Sequence, residues 1–244
     1  MGFTPHTGGR VRAWSDLDYF KILGNKTMDF DLSKVSNHQA YNLLCGLVAP
    51  RPIAWITSHD HAGRLNAAPF SAYNYVCTDP PVVAIGVANR PAREIIGKDT
   101  AQNIRNTHEF VVNVVNEDVA EEMNFCAIDF PQGVDELKLA RLETEPSLVI
   151  SVPRIAKAPA TLECREITMM EIGNSRIVLG QVVAMHVRDQ FIDPAGPYIR
   201  AEELHAIGRM NGKSAYIKTR DAFFSMPRMT YEEWKEKNGE AKTS

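Results

Sequence analysis

Short hydrophobic runs, most of them of strand length, recur between residues 53 and 187 and are separated by turn-forming residues. The clearest runs cover residues 53–57, 82–87, 110–115, 161–172 and 176–187, and weaker ones cover residues 64–68 and 148–152. Val, Ile, Thr and aromatic residues are frequent in these runs, which predicts β-strands. Strands therefore outnumber helices, and this pattern favours an antiparallel barrel or sandwich over a doubly wound sheet.

Short helices are predicted at residues 37–44, 100–106 and 116–123, and after Thr230. Asn37 and Asn116 are the expected N-caps, because an Asn side-chain oxygen accepts a hydrogen bond from the first turn of a helix. Gly46 is expected to end the first helix. Thr230 and Glu233 have the spacing of a capping box, which predicts a terminal helix.

We expect one central domain over residues 35–217, an N-terminal arm over residues 1–34, and a C-terminal extension with a helix over residues 218–244. The sequence contains no internal repeat. It also lacks a GxGxxG motif after a strand and a GxxxxGK(S/T) motif. These absences disfavour a Rossmann domain and a P-loop.

The charge balance argues against nucleic acid as a partner, because 27 Lys and Arg residues face 30 Asp and Glu residues and the net charge is −3. No run approaches the roughly 18 apolar residues of a membrane span, and the N-terminus lacks the apolar core of a signal peptide. Cys45, Cys77, Cys126 and Cys164 form no CxxC pair. We therefore expect a reduced, cytoplasmic protein with no membrane partner.

A segment with two cations precedes the helix predicted at residues 100–106. Arg90 and Lys98 carry positive charge, Asp99 or Thr100 can cap the helix, and Asn103 follows one turn later. A helix N-terminus beside cations suits a phosphate group, which accepts charge-assisted hydrogen bonds. The alternative is a solvated loop with an ordinary helix cap.

Residues 66–74 form an uncharged segment rich in small side chains. Such a segment lets backbone groups approach a flat heteroaromatic ligand closely, and the alternative is a tightly packed strand and bend. Trp55 and Thr57 occupy alternate positions of the preceding strand, so they share one face. Trp55 either stacks on such a ring or is a core residue.

His186 lies inside the apolar run at residues 182–187, where it either lines a pocket or is a buried histidine with a backbone partner. His59 and His61 flank Asp60 in a turn, but further ligands are missing at metal-site spacing, so no metal site is predicted. No GxSxG motif marks a serine nucleophile.

Several short motifs occur in an order that resembles the flavin reductase-like family of FMN-binding split barrels, over roughly residues 35–217. In the first half of the chain the resemblance rests on residues 51–57, Gly63, 66–71, 79–81, Arg90, 98–100, 103–104 and 109–113. In the second half it rests on residues 123–124, 163–164, Gly180, Val182, 186–187, 207–209, Gly212 and Tyr216. Each motif is weak alone, and their common order makes the resemblance specific.

The resemblance implies a mainly β fold, a six-stranded antiparallel Greek-key split β-barrel with peripheral helices. It also implies a homodimer whose FMN sites lie close to the subunit interface. The N-terminal arm and residues 218–244 go beyond the common core of the family. Cys77 belongs to none of the motifs, and its role is open.

The resemblance also assigns site residues. The FMN phosphate is expected to be held by Arg90, Lys98 and Thr100, with Asp99 and Asn103 supporting that turn. The flavin is expected to be lined by Trp55, Ile56 and Thr57, and its edge to be met, largely through backbone groups, by Asn66, Ala67, Ala68 and Ser71. His186 is the expected catalytic residue, near the ring or the nicotinamide, while Arg209 and Tyr216 reach a site across the dimer.

The implied activity is that of an NAD(P)H:flavin reductase with NADH or NADPH as the electron donor. Reduced FMN then passes to a monooxygenase or another acceptor. Because a fold does not fix a function, three alternatives stay open. They are an FMN-dependent enzyme acting directly on a small aromatic substrate, an FMN electron carrier, and a structural barrel without a cofactor.

Overall fold

The computed structural model describes residues 22–23, 27–88, 99–131, 134–220, 223–226 and 228–238. Most of the predicted N-terminal arm lies outside the described residues, and so do Arg90 and Lys98 of the predicted phosphate site. What these residues do therefore stays a prediction from the sequence.

The described strands and helices are short apart from one long hairpin. The strands are β1 (Ile22–Leu23), β2 (Thr27–Met28), β3 (Ala54–His59), β4 (Leu65–Phe70), β5 (Tyr73–Thr78), β6 (Pro81–Ala88), β7 (Glu109–Val114), β8 (Thr144–Glu145), β9 (Arg154–Ile155), β10 (Ala160–Ile172), β11 (Ser175–Val187), β12 (Ile207–Arg209) and β13 (Tyr216–Lys218). The helices are α1 (Asn37–Leu47), α2 (Asp99–Thr107), α3 (Ala120–Phe125), α4 (Glu136–Leu139), α5 (Ala201–Leu204) and α6 (Tyr231–Asn238).

Seven of these strands form one antiparallel sheet in the order β4-β3-β7-β10-β11-β6-β5. Strands β6 and β7 follow each other in the chain but are separated in the sheet by β10 and β11, a non-neighbour order typical of Greek-key sheets. Strands β10 and β11 form the long hairpin, in which Gly173 adopts a φ of +55° at the turn. The mainly β, antiparallel fold with peripheral helices is thus confirmed.

The sheet closes on itself because of one short connection. Strands β4 and β5 lie at opposite edges of the sheet, yet only Ser71 and Ala72 separate them in the chain. The edges therefore come together at this bend, where β4 also contacts β6. The Gly86 N–H of β6 donates to the Ala72 carbonyl over 2.7 Å, which continues the β5–β6 pairing into the bend. Counted by hydrogen-bonded pairing, the sheet has seven strands rather than the expected six. The bend at Ser71 and Ala72 divides one extended segment into β4 and β5.

Two hydrophobic clusters lie on the two faces of this sheet. The cluster inside the barrel contains Ile56, Ile85, Phe110, Val112 and Val178, all fully buried. Ala101 and Ile104 of α2 join it, so this helix covers part of the barrel interior. The cluster outside the barrel contains Trp55, Val115, Met123, Leu137 and Ile155, which attach helices α3 and α4 to the sheet.

The N-cap of helix α1 lies one residue earlier than expected. Ser36, not Asn37, is its N-cap, because Ser36 and Gln39 form a reciprocal capping box. The helix runs to Leu47, so Gly46 lies inside its last turn and does not end it.

The helix expected to start at Asn116 is also shifted. Residues Glu117–Val119 form a single 3-10 turn, and helix α3 starts after it. The Asn116 side chain donates to Asp118 and makes no cap hydrogen bond. At the C-terminus, by contrast, the capping box of Thr230 and Glu233 is confirmed.

Residues 148–152 form bends, so the strand expected there is wrong. The buried carboxylate of Glu163 accepts hydrogen bonds from the N–H groups of Leu148, Val149 and Ile150. In a strand, such N–H groups donate to the neighbouring strand. Here three successive N–H groups donate to one side chain, that of Glu163.

Over the described part of the chain, no helix is both long and apolar enough to cross a membrane. The same residues contain no cluster of three or more His, Cys, Asp or Glu side chains that could hold a metal ion. The four cysteines are free thiols, and burial raises the pKa of Cys126 to about 12.

Candidate functional site

Three adjoining cavities follow strand β4, and we call them together the β4 groove. Their volumes are about 180, 50 and 270 Å³. Asn66 and Asp99 border both the first and the second cavity, and Pro69 and Ala127 border both the second and the third. A strand of six residues spans roughly 20 Å at about 3.3 Å per residue. The β4 groove therefore suits an elongated ligand.

The first turn of helix α2 forms one end of the β4 groove. The described helix begins at Asp99, so Asp99 and Thr100 are its first two described residues, and Lys98, which precedes them in the sequence, lies outside the described residues. The N–H groups in the first turn of a helix have no acceptor within the helix, which makes this end electropositive. Asn66 ties β4 to this turn, because its Nδ2 donates to Thr100 Oγ1 over 3.0 Å.

A second buried amide extends this polar layer. Asn103 lies one turn further along α2, and its Nδ2 donates to the hydroxyl of Ser58 over 3.1 Å. The structure thus brings together Asp99, Thr100 and Asn103, which are predicted for the phosphate end, and Asn66, which is predicted for the edge of the flavin ring.

The backbone of β4 offers mainly acceptors to the groove. Strand β4 lies at the sheet edge, where alternate residues turn their backbone groups away from β3. Ala67 is one of them, since its N–H donates to Glu136 Oε2 over 3.0 Å. The same alternation turns Pro69 outward, and proline has no N–H. Of these two residues only Ala67 has an outward N–H, and that N–H is already bonded to Glu136. The other outward backbone groups are the carbonyls of Ala67 and Pro69.

Glu136 is a groove residue that the sequence analysis missed. It is 4% exposed and borders the β4 groove beside Asp99 and Thr100. Burial raises the pKa of Glu136, and the charges of Asp99 and Asp135 add to this effect, although the hydrogen bond from Ala67 opposes it. Glu136 therefore keeps its proton to higher pH than an exposed glutamate. The only signal in the sequence is its place in the first turn of a short helix capped by Asp135.

The other end of the β4 groove is largely aromatic. Ser71 and Arg209 lie here together with Tyr41, Phe70 and Tyr216. The Arg209 guanidinium carbon lies 4.7 Å from the centre of the Tyr216 ring, which is a cation–π contact. Aromatic side chains suit a flat ring, and the arginine can meet a carbonyl or anionic edge of that ring.

Arg51 fixes the elements around this aromatic end. Its buried guanidinium donates from Nη1 to the carbonyls of Cys45 and Val48 at the end of α1 and to that of Met210 after β12. One side chain thus joins α1 to β12, on which Arg209 lies.

Trp55, Ile56 and Thr57 do not border the β4 groove. They are fully buried in β3, the strand directly behind β4. Ile56 packs inside the barrel and Trp55 outside it, while the Thr57 hydroxyl donates to the Pro153 carbonyl over 2.8 Å. The structure therefore gives them a supporting position, unlike the ring-lining position expected from the sequence.

His186 is not brought to the β4 groove within one protomer. It lies on β11, and three strands separate β11 from β4 along the sheet. Its Nε2 lies 2.5 Å from Oε1 of Glu163. Burial raises the pKa of Glu163, but the hydrogen bonds from Leu148 and from His186 outweigh it, so the pKa lies below its usual range. The carboxylate therefore stays ionised at neutral pH.

The large antiparallel sheet with peripheral helices matches solved flavoproteins that have a split-barrel domain. A family model described as "Flavin reductase like domain" matches residues 47–202, which is more than half of the chain. The protein belongs to the flavin reductase-like family.

Solved structures agree with this assignment. The 2-nitrobenzoate 2-nitroreductase of Pseudomonas fluorescens is 36% identical, with a TM-score of 0.75 over 83% of this chain and 97% of that one. Component B of nitrilotriacetate monooxygenase from Bacillus cereus is 29% identical, with a TM-score of 0.76 over 84% and 100% of the two chains. A proposed flavin reductase with a split barrel domain from Shewanella frigidimarina shares the fold at 17% identity, with a TM-score of 0.68 over 84% and 100%.

Proposed function

We propose that this protein is an FMN-binding oxidoreductase, specifically an NAD(P)H:flavin reductase that passes reduced FMN to a monooxygenase or another acceptor. The observation that carries the proposal is the β4 groove, which joins the electropositive start of α2 to an aromatic end. This groove lies in a chain of the flavin reductase-like family.

The residues along the β4 groove fit FMN in the order phosphate, chain and ring. The first turn of α2, with Thr100 and Asn66, provides donors for a phosphate. The outward carbonyl groups of β4 provide acceptors for a ring N–H. The aromatic end with Arg209 provides walls and one cation for the ring. The cations expected from the sequence, Arg90 and Lys98, flank the phosphate end in the chain.

FMN, when bound, supplies the hydride-accepting chemistry, so the protein needs no acid–base pair of its own. Asn66 and Thr100 fix the phosphate end, because their mutual hydrogen bond holds β4 against α2. Tyr216 and Arg209 orient the ring end through their cation–π contact. His186 is left out of this assignment, since within one protomer it borders a different cleft.

A second candidate function is the direct reduction of a small aromatic substrate by the same flavin site. The observation that favours it is the 36% identity to the 2-nitrobenzoate 2-nitroreductase of Pseudomonas fluorescens over 83% of this chain. In that case the aromatic end of the β4 groove also holds the substrate, and no partner oxygenase is needed.

We further propose that the protein is a homodimer. Among the described residues, large apolar side chains are strongly exposed at Leu47, Tyr75 and Leu148, as expected where a second copy covers them. Sedimentation equilibrium of the purified chain tests this proposal, and a mass of one chain at all concentrations contradicts it.

The test of the main proposal is anaerobic reduction. The FMN-loaded protein is titrated with NADH and with NADPH while the visible flavin band is followed. Bleaching with either nucleotide supports the reductase, and no bleaching with both contradicts it. Subsequent addition of 2-nitrobenzoate without air separates the two candidates, because rapid reoxidation is expected only for the second.

The phosphate site has its own test. Lys98→Ala is expected to weaken FMN binding by about tenfold or more, since a charge-assisted hydrogen bond is worth about 1.5–3 kcal/mol. Lys34→Ala is the matched control, because Lys34 is an exposed lysine paired with Asp31. Equal FMN affinity in both variants shows that the phosphate lies elsewhere.

A further inference from the structure

A second cleft, separate from the β4 groove, lies beside strands β10 and β11. Its volume is about 610 Å³, within the range of small-molecule sites at roughly 300–1,000 Å³. None of the residues that border it also borders the β4 groove. We call it the β10–β11 cleft.

The β10–β11 cleft contains a buried hydroxyl group without a partner. Thr161 is 2% exposed, and its Oγ1 makes no hydrogen bond to any residue that the structure describes. Thr161 is paired directly with His186 across the two strands, so both side chains lie on the same face of the sheet. Both residues border the cleft. Because a buried polar atom without a partner costs free energy, a ligand that bonds it is favoured.

His186 presents a fixed edge to the same cleft. Glu163 is ionised and accepts from backbone N–H groups of residues 148–150, so it is an acceptor only. The 2.5 Å contact between Glu163 Oε1 and His186 Nε2 therefore places a proton on Nε2. In the described part of the chain, the other ring nitrogen, Nδ1, has no hydrogen-bond partner.

One cation borders the cleft without an acidic partner. Arg188 donates from Nη2 to the Ala156 carbonyl over 2.7 Å, and among the described residues no carboxylate lies within ion-pair distance of it. Arg154, the other arginine of the cleft, is paired with Glu145. The cleft thus has one arginine charge that is not neutralised.

The rest of the lining is mostly apolar. Ala156, Ala158, Pro159 and Ile192 border the cleft. A phosphate has no apolar part to cover these side chains. An anion with an apolar body covers them and meets the arginine at the same time.

We propose that the β10–β11 cleft is a second ligand site, which binds a small organic carboxylate with an apolar body. The carboxylate accepts hydrogen bonds from Arg188 and from the Thr161 hydroxyl. The apolar body lies against Pro159 and Ile192. This site is independent of the proposed flavin site.

The test is isothermal titration calorimetry of the full chain, saturated with FMN where it binds. Benzoate is compared with benzamide, its neutral analogue, and with inorganic phosphate. We expect saturable benzoate binding that is about tenfold tighter than that of benzamide, because each 1.4 kcal/mol changes affinity tenfold and a charge-assisted bond is worth at least this much. Equal binding of benzoate and benzamide, tighter binding of phosphate, or no saturable binding overturns the proposal.

Variants locate the site. Thr161→Val and Arg188→Gln are each expected to weaken benzoate binding by about fivefold or more, through loss of a hydrogen bond or of the cation. Thr168→Val, on an exposed position of the same strand, is the matched control and leaves the affinity unchanged. Benzoate binding that survives both Thr161→Val and Arg188→Gln overturns the assignment. If Thr161→Val does not fold, the benzoate affinities of Arg188→Gln and Arg188→Lys test the assignment of the site instead.

FMN affinity separates this inference from the proposed function. Thr161→Val is expected to bind FMN as the unaltered protein does, because Thr161 does not border the β4 groove. A protein that binds benzoate as described but not FMN contradicts only the proposed function.

Discussion

The amide nitrogen of Asn66 and the hydroxyl oxygen of Thr100 lie 3.0 Å apart, and both side chains are buried. This hydrogen bond joins the edge strand of the barrel to the helix that covers its interior. It therefore connects the integrity of the fold to the site at which we expect the phosphate of FMN.

Thr100→Val removes the acceptor and leaves the Asn66 amide buried without this partner. We expect a loss of about 1–3 kcal/mol in the free energy of unfolding and weaker FMN binding. Urea unfolding and quenching of flavin fluorescence measure the two effects. Thr168→Val is the control, since Thr168 is exposed on strand β10. Full stability together with unchanged FMN affinity contradicts this role of Thr100.

Glu136→Gln tests the buried carboxyl group beside Ala67. The folded pKa of Glu136 is raised, mainly by burial, so its favourable contribution is complete below the unfolded pKa and is lost as the pH rises through the folded pKa. Gln keeps an acceptor oxygen for the Ala67 N–H and has no charge. The variant is therefore expected to gain stability relative to the unaltered protein as the pH rises. Thermal unfolding over a pH series measures this difference, and one that is the same at all pH values contradicts it.

Glu163→Gln tests a buried carboxylate whose pKa is lowered, whereas that of Glu136 is raised. The folded pKa of Glu163 is lowered, because hydrogen bonds outweigh burial, so its contribution is present above the unfolded pKa and is lost as the pH falls through the folded pKa. We expect the variant to be less stable at neutral pH by about 1.5–3 kcal/mol, the size of one hydrogen bond to a charged group. The deficit should shrink in acid. Urea unfolding at neutral and acidic pH checks both statements, and a deficit that grows in acid contradicts them.

Gly180→Ala tests the packing inside the barrel. A Cβ at Gly180 would lie 2.3 Å from Cζ of the fully buried Phe110 ring. We expect a loss of about 1–3 kcal/mol through overpacking. Adding Phe110→Leu should recover part of this loss, because the ring that clashes is gone. A double-mutant cycle measured by urea unfolding gives the coupling, and simple additivity contradicts the predicted contact.

Short apolar runs of strand length made most of the barrel predictable. The runs at residues 82–87 and 176–187 become β6 and β11 with small changes at their ends. Residues 148–152 are as apolar as these, yet they form bends, because N–H groups of residues 148–150 donate to the side chain of Glu163 on strand β10. A contact of that kind leaves no local pattern in the sequence.

The candidate site, too, could be predicted only in part from the sequence. Asn66, Thr100 and Asn103 could be identified from motifs, and the structure brings them together. Trp55 and Thr57 lie on the same face of β3 as expected. What packs against that face is decided by helices α3 and α4, which the local sequence around Trp55 does not indicate. Glu136 could not be identified, because its contact with Ala67 joins two segments far apart in the chain.

Strand β11 is the last barrel strand to be synthesised, and it lies between β10 and β6. Without residues 175–187, the pairings of the remaining barrel strands fall into two groups, β4-β3-β7-β10 and β6-β5, linked through Ser71 and Ala72. A nascent chain that stops short of Ser175 therefore exposes two unpaired edges. Such truncated products are expected to depend on chaperones and to be degraded quickly, whereas a chain that ends soon after Val187 already holds every strand of the barrel.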